Sequence, residues 1–370
     1  MRVALNLSFL TPRATGGMEV YARELARALA ARDDVEIVLL GNRLLDSGWP
    51  DVDRVIMPVD PRRRVEWVFG DQVHAPRAAA RVRADLVHSL ASTGPTAGAV
   101  PRVTTIHDLN YKLVPDTHFG VRGLGMRVLV PLAARRSRRV LVDAESTRQD
   151  LGRYLGTPPQ KVDVAPLAAR VPPDPDATSE EELRARLELG DRPLVLSLSA
   201  KRPHKNLPRL FRAVAALEPE HRPVLVVPGY PTPHEQELRD LARDLGIGEL
   251  ACMPPWLPAA DLEGLYRAAA GVVFPSLYEG FGLPVLEAMA RGVAVACSDR
   301  SSLPEVAGDA ALMFDPENVE SISRAMERLL TEAALGDRLR AAGRARAALF
   351  TWERTAELTV ASYRRALGSV

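Results

Sequence analysis

The chain has 370 residues, of which 46% are hydrophobic and 26% charged, with a net charge of +1 at pH 7. That length suffices for two domains of ordinary size, and the balanced charge excludes a bulk attraction to nucleic acid. No stretch approaches the ~20 apolar residues of a membrane span, and the apolar run at the N-terminus is too short and interrupted for a secretory signal. Short apolar runs alternate with helical patterns throughout, the signature of parallel α/β units. In the first half, strands are predicted at residues 3–7, 35–40, 55–59, 86–90, 103–107, 140–142 and 162–165. Helices at 18–31 and 122–136 lie among the segments between them. Residues 166–179, rich in Pro, Ala and Asp, read as a linker. The second half continues with strands at 194–199, 224–228, 272–275, 293–297 and 311–314. Its helices are predicted at 207–217, 235–245, 260–269, 284–290 and 319–330, and an amphipathic helix follows at 352–367. Cys252 and Cys297 lie in apolar, strand-like runs, as buried thiols do in a reducing cytoplasm, and no metal-ligand spacing surrounds them.

Residues 275–304 carry the strongest chemical signal. Two carboxylates, Glu279 and Glu287, stand eight residues apart, with Gly280-Phe281-Gly282-Leu283-Pro284 between them. The glycines let a ligand approach the backbone, and the proline opens a helix without wasting an N–H. Free N–H groups at that helix start favour an anion. A buried strand, a glycine loop with one acid, a helix N-terminus and a second acid together suit a nucleotide-sugar.

Other loops follow predicted strands. Thr15-Gly16-Gly17-Met18-Glu19 opens a helix, where two glycines admit a phosphate or sugar to backbone N–H groups. Lys201-Arg202-Pro203-His204-Lys205-Asn206 holds two of only four lysines in the chain, and such a cluster neutralises the charge building on a departing diphosphate. Thr105-Ile106-His107-Asp108-Leu109 ends a strand with a histidine, and His88 ends another and reads as structural. Two basic stretches, Arg62-Arg63-Arg64 with Trp67 and Phe69 and the run from Arg122 to Arg139, suit either a solvated helix face or a contact with acceptor or anionic lipid.

Taken together, these phrases resemble the Glu-x7-Glu signature of retaining GT-B glycosyltransferases of glycosyltransferase family 4, over nearly the whole chain. His204-Lys205-Asn206-Leu207 and Ser301-Ser302-Leu303-Pro304-Glu305 are similar to the mannosyltransferase-like subgroup of bacterial polysaccharide synthesis. The resemblance implies a GT-B α/β fold, two Rossmann-like doubly wound domains facing across a cleft. Residues 1–168 would form the acceptor-side domain, joined by a returning helix at 352–370, and residues 169–351 the donor-binding domain. It implies transfer of a hexose from GDP-mannose or a UDP- or dTDP-sugar, with retention. The acceptor would be a hydroxyl of a glycan, a lipid-linked molecule or a small molecule, with no metal or other cofactor. His107, Lys205 and Glu279 would be catalytic. Gly16 and Gly17 would contact the donor. Lys205, with Lys201 or Arg202, would meet the diphosphate. Glu279, Gly280, Phe281, Gly282 and Leu283 would hold the sugar, Glu287 the ribose, and Gly229 with Tyr230 and Trp256 would lie near the base. Asp143-Ala144-Glu145 departs from the family, which opens that segment with serine. A cytoplasmic enzyme is expected, with peripheral contact at the inner membrane face left open. A GT-B epimerase and a non-catalytic sugar-nucleotide binder are the alternatives.

Overall fold

The computed structural model describes residues 1–12, 14–114, 121–171 and 176–368, with the side chains of 121–124 left aside. Part of the predicted linker, residues 172–175, lies outside the described residues. The chain divides into two compact units, Met1–Leu167 with Phe350–Val370, and Ala168–Leu349.

The first unit is built on seven parallel strands: β1 (Arg2–Asn6), β2 (Glu36–Gly41), β3 (Arg54–Ile56), β4 (Leu86–Ser89), β5 (Arg102–Thr105), β6 (Arg139–Val142) and β7 (Val162–Val164). Their order is β3-β2-β1-β4-β5-β6-β7, with Leu5 paired to Leu39 on one side and His88 on the other. Central strands are buried on both faces, which is why they read as largely apolar runs. The order reverses between β1 and β4, and ligands of such sheets bind beyond the strand ends at that reversal. The Trp352–Leu367 helix belongs to this unit, capped by Thr351, which accepts from Arg354 N. It buries Ala356, Val360 and Tyr363, and Thr355 donates to Pro166 O at 2.6 Å.

The second unit repeats the plan with six parallel strands: β8 (Leu194–Leu196), β9 (Val224–Val226), β10 (Ala251–Cys252), β11 (Ala269–Phe274), β12 (Val295–Ser298) and β13 (Leu312–Phe314). The order β10-β9-β8-β11-β12-β13 reverses between β8 and β11. Leu207, Leu210, Phe211 and Val214 lie along one face of the Leu207–Ala216 helix at helical spacing. They join Ile322, Met326 and Leu329 of the Val319–Thr331 helix in one core with Val195 and Val273. Burial of each such side chain contributes roughly 1.5–3 kcal/mol.

Several boundaries differ from expectation. Strand β5 ends at Thr105, two residues before His107, and β8 ends at Leu196 rather than at 199. Strand β11 starts at Ala269, immediately after the Ala259–Ala268 helix. The edge strand β10 and the helices Glu145–Leu155, Glu180–Leu187 and Ala333–Ala347 were not predicted. Cys297 is buried in β12, whereas Cys252, expected to be buried, is half-buried in β10, and both thiols are free.

Candidate functional site

In the second unit, the loops leaving β8 and β11 meet at the reversal. Lys205 closes a short turn, Pro203–Lys205, after β8. Glu279 stands after β11. Lys205 Nζ donates to Glu279 Oε1 at 2.5 Å, with side chains only 16% and 12% exposed. The loops are also tied through the backbone, where Leu277 N donates to His204 O at 2.8 Å. Asn206, at φ 58°, donates from Nδ2 to Pro275 O at 3.1 Å and Pro316 O at 2.7 Å. Ser301 Oγ donates to Glu279 O at 2.6 Å, and Ser302 Oγ donates to Phe281 O at 2.8 Å. The two serines thus fix the loop that aims Glu279. An ammonium has three donors, so Lys205 retains two for a further anion.

Gly282 precedes the Leu283–Ala290 helix at φ 101°, and a Cβ there would lie 2.5 Å from Leu303 Cδ2. Both strain and space therefore demand glycine. The Gly282 and Leu283 N–H groups take no hydrogen bond among the described residues, and Pro284 has none to offer. These groups form the positive end of a helix, suited to phosphate. Gly280 and Phe281 are buried in the same loop. Glu287 sits one turn into the helix; burial pushes its carboxyl up to about 7, against the pull of Arg291. Tyr266 Oη donates to Glu287 Oε2 at 3.5 Å. The hydroxyls of Ser197, Ser199 and Ser276, beyond β8 and β11, are buried without a partner among the described residues. Such a polar surplus suits a place that receives water or a ligand group.

One predicted donor contact is corrected. Lys201 is fully buried, and its ammonium donates to Gly229 O at 2.8 Å and Pro254 O at 2.9 Å, with Glu235 at 3.6 Å. It clasps three loops together and does not present its charge. Of the two candidates, Arg202 is the one whose guanidinium is not engaged among the described residues. Gly229 has a packing reason to be glycine, since a Cβ would meet Ser199 O at 2.4 Å. Tyr230 and Trp256 stack with ring centroids 4.8 Å apart, and Trp256 is 55% exposed.

In the first unit, Gly16 lies beyond β1 at φ 57° and caps the Gly17–Ala30 helix. A Cβ on Gly16 or Gly17 would meet nothing within 4 Å. Packing within the unit therefore gives Gly17 no reason to be glycine. His107 lies beyond β5, Nδ1 2.7 Å from Asp143 Oδ2 and Nε2 2.9 Å from Leu90 O. A carbonyl only accepts, so Nε2 carries hydrogen, and Nδ1 faces a carboxylate. Burial works against the charged ring, but Asp143 and the Leu90 hydrogen bond raise it to about 9. His107 is thus an imidazolium with both nitrogens engaged, and neither is left to take a proton from a substrate. His88 is buried between Tyr363 Oη and Thr105 Oγ1, each at 2.7 Å, and burial lowers it to about 3, so it stays neutral. This is the structural role expected of it.

Sequence reasoning passed over Asp71 and did not foresee that Asp143 pairs with His107. Asp71 lies on a π-helical turn, Gly70–His74, between the Arg64–Phe69 and Ala75–Arg81 helices. It accepts from Asn6 Nδ2 at 2.6 Å, beside Ser89 of β4, so it sits at the first unit's reversal. Burial pushes its carboxyl up to about 6, against hydrogen bonds from Thr93, Asn6 and Gln72. A π-turn often marks a functional position, but no pattern of the sequence announces one. In the same stretch, Arg62 and Arg63 pair with Asp60 and Glu66, so part of that basic charge is compensated. Among the described residues, no group of three or more His, Cys, Asp or Glu is placed to hold a metal, and no helix is long and apolar enough to cross a membrane.

Comparison with known proteins agrees with this architecture. Residues 15–169 match the model of Glycosyltransferase Family 4, and residues 179–346 that of Glycosyl transferases group 1. The chain is 32% identical to O-antigen chain mannosyltransferase B of Escherichia coli, over 71% of this chain and 70% of that protein. It is 28% identical to the MMP alpha-(1->4)-mannosyltransferase of Mycolicibacterium hassiacum, over 100% and 99%. The crystal structure of Anabaena HepE in complex with UDP and glucose superposes with a TM-score of 0.74 at 18% identity, covering 98% of this chain and 99% of that one. Two parallel, doubly wound domains of this kind define the GT-B class of glycosyltransferases. The chain belongs to glycosyltransferase family 4, and its work is glycosyl transfer.

Proposed function

We propose that the protein moves a hexose, mannose foremost, from an NDP-sugar to a hydroxyl of a glycan acceptor, with retention and without a metal ion. The observation that carries this reading is the Lys205–Glu279 pair across the β8/β11 reversal, beside a helix start whose first N–H groups have no acceptor among the described residues. Mannose is favoured by the names of two relatives, both mannosyltransferases. The diphosphate would take the two remaining donors of Lys205, the Gly282 and Leu283 N–H groups and the Arg202 guanidinium. These supply positive charge where the bond from sugar carbon to phosphate oxygen breaks. Glu279 would accept from sugar hydroxyls, and Glu287 from the ribose diol. The acceptor oxygen bonds to the anomeric carbon on the face the diphosphate leaves, and its proton passes to the departing phosphate oxygen. His107, a fixed cation, would line the acceptor side without acting as a base, and the open backbone at Gly17 would admit the donor.

The test is to incubate the protein with GDP-mannose and with UDP- and dTDP-hexoses, with and without mannosyl acceptors, in EDTA. Release of NDP that depends on acceptor, with α-linked product by NMR, is expected. A changed sugar without acceptor would make the protein an epimerase, and tight NDP binding with no turnover a binding protein. Activity lost in EDTA and restored by Mg²⁺ or Mn²⁺ would overturn the metal-free reading.

A further inference from the structure

The amino ends of the second sheet carry a charged cavity that the donor site does not use. Arg192 lies just ahead of β8 and Arg222 just ahead of β9. Both line a cavity of about 750 Å³. Its wall continues through Arg239 and Arg243 of the His234–Asp244 helix and through Ala251 and Met253 around β10. The donor loops leave the opposite, carboxyl ends of the same strands.

Backbone carbonyls orient the two guanidiniums. Arg192 Nη1 donates to Pro219 O at 2.8 Å and to Arg222 O at 3.0 Å. Arg222 donates from Nε to Leu217 O at 2.9 Å and from Nη2 to Ala215 O at 2.7 Å. Neither has a carboxylate partner among the described residues. Other guanidiniums of this unit are compensated by carboxylates, Arg291 by Glu263 and Arg300 by Asp315. On the cavity's own wall, Arg239 pairs with Glu235 and Arg243 with Asp240. The surplus of charge therefore comes from Arg192 and Arg222, and among the described residues Glu249 is the one acid lining the cavity. A guanidinium does not shed its proton to relieve repulsion. Two of them, fixed by carbonyls and lining one concave wall, are met best by the oxygens of a phosphate. The volume exceeds what a bare phosphate fills, and Ala251 and Met253 offer apolar surface beside the charge.

We propose that this cavity binds a phosphate monoester of a small organic molecule, held by Arg192 and Arg222. The inference does not depend on the donor assignment. Calorimetry of the full chain with inorganic phosphate as the probe tests it. Binding should weaken ~tenfold or more in the Arg192→Gln/Arg222→Gln double variant and persist in Lys205→Ala. If the folded double variant binds as wild type does, or if Lys205→Ala alone abolishes binding, the anion belongs elsewhere and the proposal fails. Both arginines also tie backbone carbonyls, so crystals of the wild-type protein soaked in phosphate give a reading free of folding effects. Phosphate between Arg192 and Arg222 supports the site, and an empty cavity overturns it.

Discussion

Beyond β8 and β11, the second domain brings Lys205 and Glu279 to 2.5 Å. Beyond β1 and β4, the first brings Asn6 and Asp71 to 2.6 Å. The two sheets share one strand order, yet the groups at their reversals are put to different uses. In the second domain the pair keeps donors to spare, beside N–H groups that nothing among the described residues satisfies. In the first, Asp71 takes hydrogen bonds from three side chains, and His107 spends both nitrogens on Asp143 and Leu90. One reversal holds charge ready for a ligand. The other holds charge already balanced within the domain, with open space above Gly16 and Gly17. If that contrast is sound, substitutions in the second domain should strike turnover, and those in the first should strike stability and its pH dependence.

The largest effect is expected at Lys205. Lys205→Ala would remove the charge proposed to meet the departing diphosphate, and loss of one such donor costs about 3 kcal/mol, roughly a hundredfold in kcat. KM should change less, because the interaction strengthens as charge develops on the leaving group. Steady-state kinetics with the donor found by screening measures both. A variant with near-full kcat would remove Lys205 from the chemistry and erase the contrast between the domains.

His107 provides the counterpart in the first domain. Its pKa is raised to about 9 in the fold, against an ordinary value near 6.5 in the unfolded chain. The folded state therefore binds more protons in that window, so stability is full below about 6.5 and falls as pH rises through about 9. The span corresponds to a few kcal/mol, on the order of 3. Asp143→Asn should remove most of this dependence, so that melting curves of the variant lie nearly level between those limits. A wild-type protein equally stable across them would show that Asp143 does not hold the imidazolium.

These contrasts were legible to different degrees in the sequence. Lys205 and Glu279 could be found because local marks surround them: a run of bases, a glycine loop and Pro284 at a helix start. Lys201 stood in the same basic run but turned inward, toward carbonyls of Gly229 and Pro254 that lie 28 and 53 residues away. A sequence records that a charge is present, not which way it points. Asp71 and Asp143 were hidden for the same reason, their partners being 65 and 36 residues distant. Strand β10 escaped because two residues have no period. The Ala333–Ala347 helix did so because its alanines and arginines mark no clear apolar face. The parallel sheets were foreshadowed by alternation of short apolar runs with helices, since parallel strands covered on both faces are mainly apolar.

Glu287 should give an intermediate effect, read in binding. Burial raises its carboxyl to about 7. The ionised form accepts from a ribose diol, and the protonated form has lost part of that capacity. NDP affinity should therefore weaken as pH falls below about 7, by up to ~tenfold per pH unit. Glu287→Gln should bind more weakly at pH 8 and show little further change at pH 6. Calorimetry at several pH values would sink the assignment if wild-type affinity were the same at both ends.

The smallest effects separate Gly16 from Gly17, neighbours with different reasons to be glycine. Gly16 holds φ 57°, so Gly16→Ala should cost about 1 kcal/mol in stability through strain alone. Gly17 has no such constraint, and a Cβ there meets no atom within 4 Å. It opens a helix, where alanine is the better former, so Gly17→Ala should leave stability unchanged or raise it by a few tenths of a kcal/mol. If the space above Gly17 is kept for the donor, the same variant should lose donor affinity a few-fold, and Gly17→Val considerably more. Melting curves and donor titrations on the two alanine variants decide the matter together. A Gly17→Ala protein that is both stable and fully able to bind donor would leave the first domain's reversal without an open face, and the balanced network around Asp71 and His107 would then be packing alone.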